Sequence, residues 1–413
     1  MSSNVFHTPR PRKGLIRLLA TANDRVVLPY VARIRAIHLP PADAERLRTA
    51  LQGPTVICPN HPEFFTDWML DKWLGSRFAP LAANWADPEI VNGMGTMVRS
   101  FWLANNLVAA VRGDELERAL DYSAAQLAGG HAALIHPEGE VNWDNEALGT
   151  LKSGCLQIAM RGAALAGRDA CVVPIAWFIR FCEDATPGLQ SELDYVQSRL
   201  GFRSDRLQGP AERMALLYGA LLERETSRYD IDTGKPGQPF LERFDIALAS
   251  ALALLSLHWS EHISVSAGAT PWETGRNWIR AVRKRRADLP RDLIHQVGTL
   301  ERMLRLLPAR GDKTHLTQEQ VGERVKRLRA DWLTKGVRDQ LSRFVPRAAA
   351  TREVFMSVGE PVTVRAGRPE EMDALLGALT DRLRSATETA RQAGLERLGA
   401  PVRYLNPFLY PPN

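Results

Sequence analysis

Cysteine is scarce in this 413-residue sequence: Cys58, Cys155, Cys171 and Cys182 are all there is, at irregular separations and with no Cys-x-x-Cys pair. Neither a zinc ribbon nor a disulfide framework is expected, and the four read as reduced, mostly buried thiols. Long apolar runs are also lacking. The most apolar stretch, Ile246 to Trp259, has 14 residues, against about 20 for a bilayer-spanning helix. The first 35 residues interrupt their apolar stretches with Arg25 and Arg33 and show no small-residue cleavage site. No signal peptide is expected, and the sequence predicts a cytoplasmic protein. The net charge of +6, from 53 basic and 47 acidic side chains, is a mild excess. It suits phosphate-bearing substrates or an anionic membrane surface and falls short of a nucleic-acid signature. There is no Gly-x-Ser-x-Gly and no Gly-x-x-x-x-Gly-Lys-Ser/Thr, and Gly93-Met94-Gly95 lacks the third glycine of a dinucleotide loop. Serine-esterase and nucleotide-dependent chemistry therefore have no support.

What is present is an alternation. Apolar runs of strand length at Thr55–Cys58, Leu107–Val111, Ala132–Ile135 and Cys171–Ile175 are separated by stretches of helical spacing such as Asp114–Leu127 and Leu151–Ala166. Alternating strand and helix predicts an α/β sheet. From about Cys182 the sequence turns to Leu, Arg, Glu and Ala at helical spacing, with breaks at 234–239, 267–271 and 307–313. A strand signal returns at Val354–Val362, followed by an amphipathic stretch from Glu370 to Ala390 and a proline-bearing tail from Tyr404 that reads as irregular.

Four segments in the α/β region bear on function, three of them with polar residues at strand ends, where an open sheet binds its ligands. Asn60-His61 follows the first strand, and Asp67 comes about one and a half helical turns later. A carboxylate so placed can fix an imidazole tautomer and stabilise its charged form, which is the arrangement of a general base. Taken alone, the pair is more often a capping or solvent-bonded histidine. Arg112 follows the second strand, His136-Pro137-Glu138-Gly139-Glu140 the third, and Val173-Pro174 lies within the fourth. His131, His136, Cys155 and Cys171 are metal-capable types, but their spacing fits no zinc pattern.

In order and spacing the four segments resemble the characteristic blocks of the glycerol-phosphate and lysophospholipid acyltransferase superfamily. Its first block is Asn-His, four residues, Asp; its second ends in a strand and Arg; its third reads Phe-Pro-Glu-Gly-Thr-Arg; its fourth is a Val-Pro strand. Asn60-His61 with Asp67, Arg112, Pro137-Glu138-Gly139 and Val173-Pro174 take those places, and Leu151-Lys152-Ser153-Gly154 is similar to the family's step into a helix. The resemblance covers about residues 30 to 182 directly.

The resemblance implies a mixed central sheet flanked by helices, split as residues 1–182 and 350–413 around a mostly helical insertion, 183–349. It implies an enzyme that moves a fatty acyl group from acyl-CoA or acyl carrier protein to a hydroxyl of a lysophospholipid or related polar lipid. No metal or resident cofactor is called for. His61, oriented by Asp67, would be the base. Arg112 and Lys152 would hold phosphate, backbone N–H groups near Gly139 would meet the oxyanion, and Glu138 would order its loop or bond the acceptor. Two departures matter. Five residues instead of four separate His61 from Asp67, so that either Thr66 or Asp67 takes the family's place, and Asp67 is favoured because only a carboxylate stabilises an imidazolium by charge. Glu140 and Val141 stand where Thr and Arg are usual, which leaves an amine or a non-phosphate acceptor as an alternative, beside that of a catalytically weak relative that binds a membrane or a partner. Trp272 to Arg286, basic and tryptophan-bearing, reads either as a helix with a solvated basic face or as a peripheral contact with an anionic membrane on the inner face.

Overall fold

The computed structural model describes residues 4–410 apart from 94, 204–207, 236, 307–312, 345–346 and 366–371. The expected break at 307–313 and the start of the helix expected at Glu370 lie largely outside the described residues. The chain forms two compact units, Met1–Glu183 with Phe344–Pro401, and Asp184–Arg343 with Val402–Asn413. The sequence reading places all of 350–413 together.

In chain order the strands are β1 (Ile34–His38), β2 (Thr55–Pro59), β3 (Ala83–Ala86), β4 (Leu107–Ala109), β5 (Ala132–Leu134), β6 (Ala170–Phe181), β7 (His315–Thr317), β8 (Arg352–Val358), β9 (Val362–Val364) and β10 (Arg403–Leu405). The first unit is α/β. Its eight-stranded sheet runs β1-β8-β6-β2-β5-β3-β4, with β9 also on β6. β6, β2, β5, β3 and β4 are mutually parallel. β8 and β9 run antiparallel to β6, which makes the sheet mixed.

Period-two alternation sorts the strand side chains into two cores. Along β6, Val172, Ala176 and Phe178 join one core, and Val173, Ile175, Trp177 and Ile179 join the other. The first core is covered by the helices Asp114–Ala128, Gly154–Ala166 and Met372–Leu398, and the second by Phe64–Phe78 and Pro41–Ala50. Each fully buried Val, Leu, Ile or Phe contributes roughly 1.5–3 kcal/mol relative to exposure. Trp177 thus lies on the same face of the sheet as the helix Phe64–Phe78 and its Asp67.

The second unit is mostly helical, with long helices at Thr186–Leu200, Pro210–Thr226, Phe240–Trp259, Pro271–Lys284, Arg291–Arg305 and Gln318–Trp332. Thr270 and Thr317 start the fourth and sixth of these in capping boxes with Glu273 and Gln320, each satisfying donors that a helix start leaves open. The tail is not wholly irregular: β10 pairs antiparallel with β7. Among the described residues, no helix is long and apolar enough to cross a membrane.

Candidate active site

The parallel strands deliver their following loops to one edge of the sheet, and the site is built there. Pro59 ends β2, and Asn60 fastens the next turn to β6: its side-chain amide donates to the Trp177 carbonyl at 3.1 Å and accepts from the Trp177 N–H at 2.9 Å. His61 is then fixed at both ends of its own backbone. Its N–H donates to Glu138 Oε1 at 2.7 Å, and its carbonyl accepts from Asn142 N–H at 2.8 Å.

The His61 ring and the Asp67 carboxylate meet, with Nδ1 2.8 Å from Oδ2. Asp67 sits in the first turn of the helix Phe64–Phe78, where the helix N-terminus favours a negative charge. The same Oδ2 accepts from the Glu63 N–H, and Oδ1 accepts from the Trp177 indole, both at 2.8 Å. Because Nδ1 points at the carboxylate, Nε2 is left to receive a proton. The extra residue is absorbed between the strand and the helix: Thr66 turns away and donates to Glu63. Glu63 is in turn held by the buried guanidinium of Arg352 from β8, which also donates to the Ala32 carbonyl and to Thr66 Oγ1.

Burial sets the protonation of the pair. His61 is held well below the ordinary imidazole value by burial first and by the neighbouring His136 second. Burial, with the Glu63 carboxylate, pushes Asp67 upward, against the Glu63 amide and the Trp177 indole, whose hydrogen bonds favour the ionised form. A neutral imidazole with an unshared pair on Nε2 is the form a general base requires.

The third block forms a tight turn. Gly139 has φ +68° and gives its N–H to the His136 carbonyl, so this amide is spent inside the turn. A Cβ at Gly139 would lie 2.7 Å from Lys152 Nζ, which shows that the lysine lies across the glycine. Glu138 commits both oxygens to backbone amides, Oε1 to His61 and Oε2 to Gly149 at 2.7 Å. In this arrangement it orders the loop; no acceptor contact is needed to account for it. Burial raises its carboxyl, opposed by those two amides.

Arg112 is exposed just beyond β4, its backbone bonded to the Asn4 side chain. β4 is separated from β2 by β5 and β3, so Arg112 stands apart from His61 along the same edge. Lys152 is exposed and close to the turn that follows β5. Sequence reasoning passed over Trp177 and Asp71. The parity of Trp177 with Val173 and Ile175 would have placed it opposite Asp67, and Asp71, four residues after Asp67, shares that residue's helix face. Among the described residues no group of three or more His, Cys, Asp or Glu is disposed to hold a metal ion. No family model and no curated protein matches the chain.

Proposed function

We propose that the chain is an acyltransferase that moves a fatty acyl group from a thioester, acyl-CoA or acyl carrier protein, to a hydroxyl of a lysophospholipid or related polar lipid. The observation that carries the reading is the 2.8 Å contact between His61 Nδ1 and Asp67 Oδ2 at the end of β2. It forms in spite of the lengthened spacing, in a sequence that resembles the superfamily at three further segments, two that follow strands and one within β6.

His61 Nε2 takes the proton of the acceptor hydroxyl as its oxygen attacks the thioester carbonyl. The tetrahedral intermediate then collapses, the C–S bond breaks, and the proton on His61 passes to the leaving thiolate. Neither a metal nor a covalent enzyme intermediate is called for, and holding the two substrates together supplies much of the acceleration. Asp67 favours the imidazolium formed in the first step. Arg112 and Lys152 are the cations offered to phosphate on donor or acceptor. Glu140 stands where the family usually supplies a further hydroxyl and Val141 where it supplies a cation, which favours, as a second reading, an acceptor without phosphate or an amine.

Incubating the purified protein with acyl-CoA or acyl carrier protein and a panel of lysophospholipids, polyols and amines, with products identified by mass spectrometry, tests both readings. Acylated product from a lysophospholipid supports the first, and product from polyols or amines alone moves the assignment to the second.

A further inference from the structure

Beside His61 and Asp67 lies a second histidine and carboxylate that the reaction above does not use. Residues four apart on a helix lie on one face, and Asp67 and Asp71 are so placed on the helix Phe64–Phe78. Asp71 Oδ2 is 3.1 Å from His136 Nε2. β2 and β5 are adjacent parallel strands, so the residues that leave their ends emerge side by side. The rings of His61 and His136 are stacked, with centroids 4.1 Å apart and planes inclined by 18°.

The partners of His136 fix the proton on Nδ1 and favour a second on Nε2. Nδ1 is 3.0 Å from the Asn60 carbonyl, which only accepts, so Nδ1 carries a hydrogen. Nε2 faces a carboxylate oxygen, which accepts when ionised. Where that carboxylate is ionised both nitrogens donate, and the ring is an imidazolium. Burial opposes that charge, but the Asp71 carboxylate, the Asn60 carbonyl and Glu138 outweigh it and raise the His136 value. Asp71 Oδ1 is buried without a hydrogen-bond partner, so His136 is the donor that compensates this carboxylate among the described residues.

The charged and titratable groups around the two rings are few. The helix supplies Asp67, Asp71 and Lys72, whose ammonium is lowered to about 8 by burial. The loops supply Glu63, Glu138 and, lying across Gly139 of the turn that His136 opens, Lys152, and β8 supplies Arg352, which is engaged with Glu63. β6 presents the neutral ring of Trp177, edge-on to His136.

We propose that His136 and Asp71 form a second dyad that holds a positive charge flat against the His61 ring and so keeps His61 unprotonated, able to accept a proton, into mildly acidic conditions. The inference rests on His61 acting as the base. Both nitrogens of His136 are engaged, so it exchanges no proton with substrate; it is a positioning residue that acts through His61.

The test is an NMR titration of the full chain labelled with ¹³C,¹⁵N-histidine from about pH 8 down to about pH 4, past the usual imidazole range because His61 is held below it, with His61→Gln and His136→Phe spectra for assignment. The expected result is a doubly protonated His136 at pH values where His61 is already neutral. In Asp71→Asn the His61 midpoint should rise by about one pH unit, and the acid limb of kcat/KM should move the same way, with about tenfold less activity one unit below the old midpoint and near-normal activity at about pH 8. His136→Phe keeps the stacked ring and removes the charge, and should act likewise; it serves if the Asp71 variant does not fold. A neutral His136 across the range, as when Asp71 holds the proton, overturns the proposal. So does a uniform loss of activity with the His61 midpoint unmoved, which is what a purely structural role would give. The titration reads the dyad without any turnover, whereas absence of acylated product counts against the acyltransferase reading, so the two failures are distinguishable.

Discussion

Asp67 and Thr66 compete on paper for one role, and the structure separates their work. Asp67 contacts the His61 ring, while Thr66 donates to Glu63 and accepts from Arg352. Asp67→Asn should therefore lower kcat by one to two orders of magnitude or more with the fold retained, by analogy with other losses of general-base support. Thr66→Ala should leave kcat within a few-fold and lower stability by about 1 kcal/mol, the worth of an ordinary hydrogen bond. Steady-state kinetics with denaturant unfolding distinguishes the two, and the reverse ranking would place the pairing elsewhere. His61 and Asp67 were legible because a histidine at a strand end and a carboxylate on the next helix are local in sequence. The Trp177 donor and the His136–Asp71 contact were not, because each joins segments far apart in the chain, and only the register of β2 with β6 and β5 brings them together.

At the scale of elements, two groups on β8 tie the first unit together. Arg352, buried, bonds Glu63 and the Ala32 carbonyl. Arg352→Met takes the cation away from the buried Glu63 carboxylate, and should cost about 3–5 kcal/mol by chemical denaturation. Its neighbour Glu353 receives Arg35, His38 and Arg397, which joins β1 and the helix Met372–Leu398 to β8. Burial tends to raise the Glu353 carboxyl, but these three partners prevail and bring it down to about 2. A folded value below the unfolded one means that the stabilisation is fully present above about pH 4.5 and is lost as pH falls towards about 2. Thermal unfolding between about pH 5 and pH 2 should thus show a fall in Tm that Glu353→Gln largely lacks; parallel curves for the two proteins would contradict it. The sequence signal at Val354–Val362 was readable as strand from its apolar run, and it resolves into β8 and β9. β1 and β3 escaped notice because Ile34-Arg35-Ala36-Ile37-His38 interrupts its apolar residues with charge, and Ala83-Asn84-Trp85-Ala86 contains no β-branched residue. Their strand form comes from the neighbours they pair with.

For the whole molecule, the lipid acceptor proposed above would be taken from a bilayer, and no described helix spans one. In the helix Pro271–Lys284, Trp278 belongs to the core of the second unit, Trp272 is half-buried with Arg276 over its ring, and Arg283 pairs with Glu301. The cations that follow, Lys284 to Arg286, are exposed. If this face attracts anionic lipid at about 1 kcal/mol per cation, the protein should co-sediment with anionic but not neutral vesicles. Salt, and replacement of Arg283, Lys284, Arg285 and Arg286 by glutamine, should weaken that binding; equal binding by the quadruple variant removes the segment as an anchor. Acyl transfer by His61 stands or falls separately, and it is tested most directly by comparing turnover of the wild-type protein and His61→Ala with a thioester donor and the acceptor that yields product. The account predicts a loss of about 10²–10⁴-fold in a variant that still folds, and a folded His61→Ala protein with undiminished turnover would contradict it.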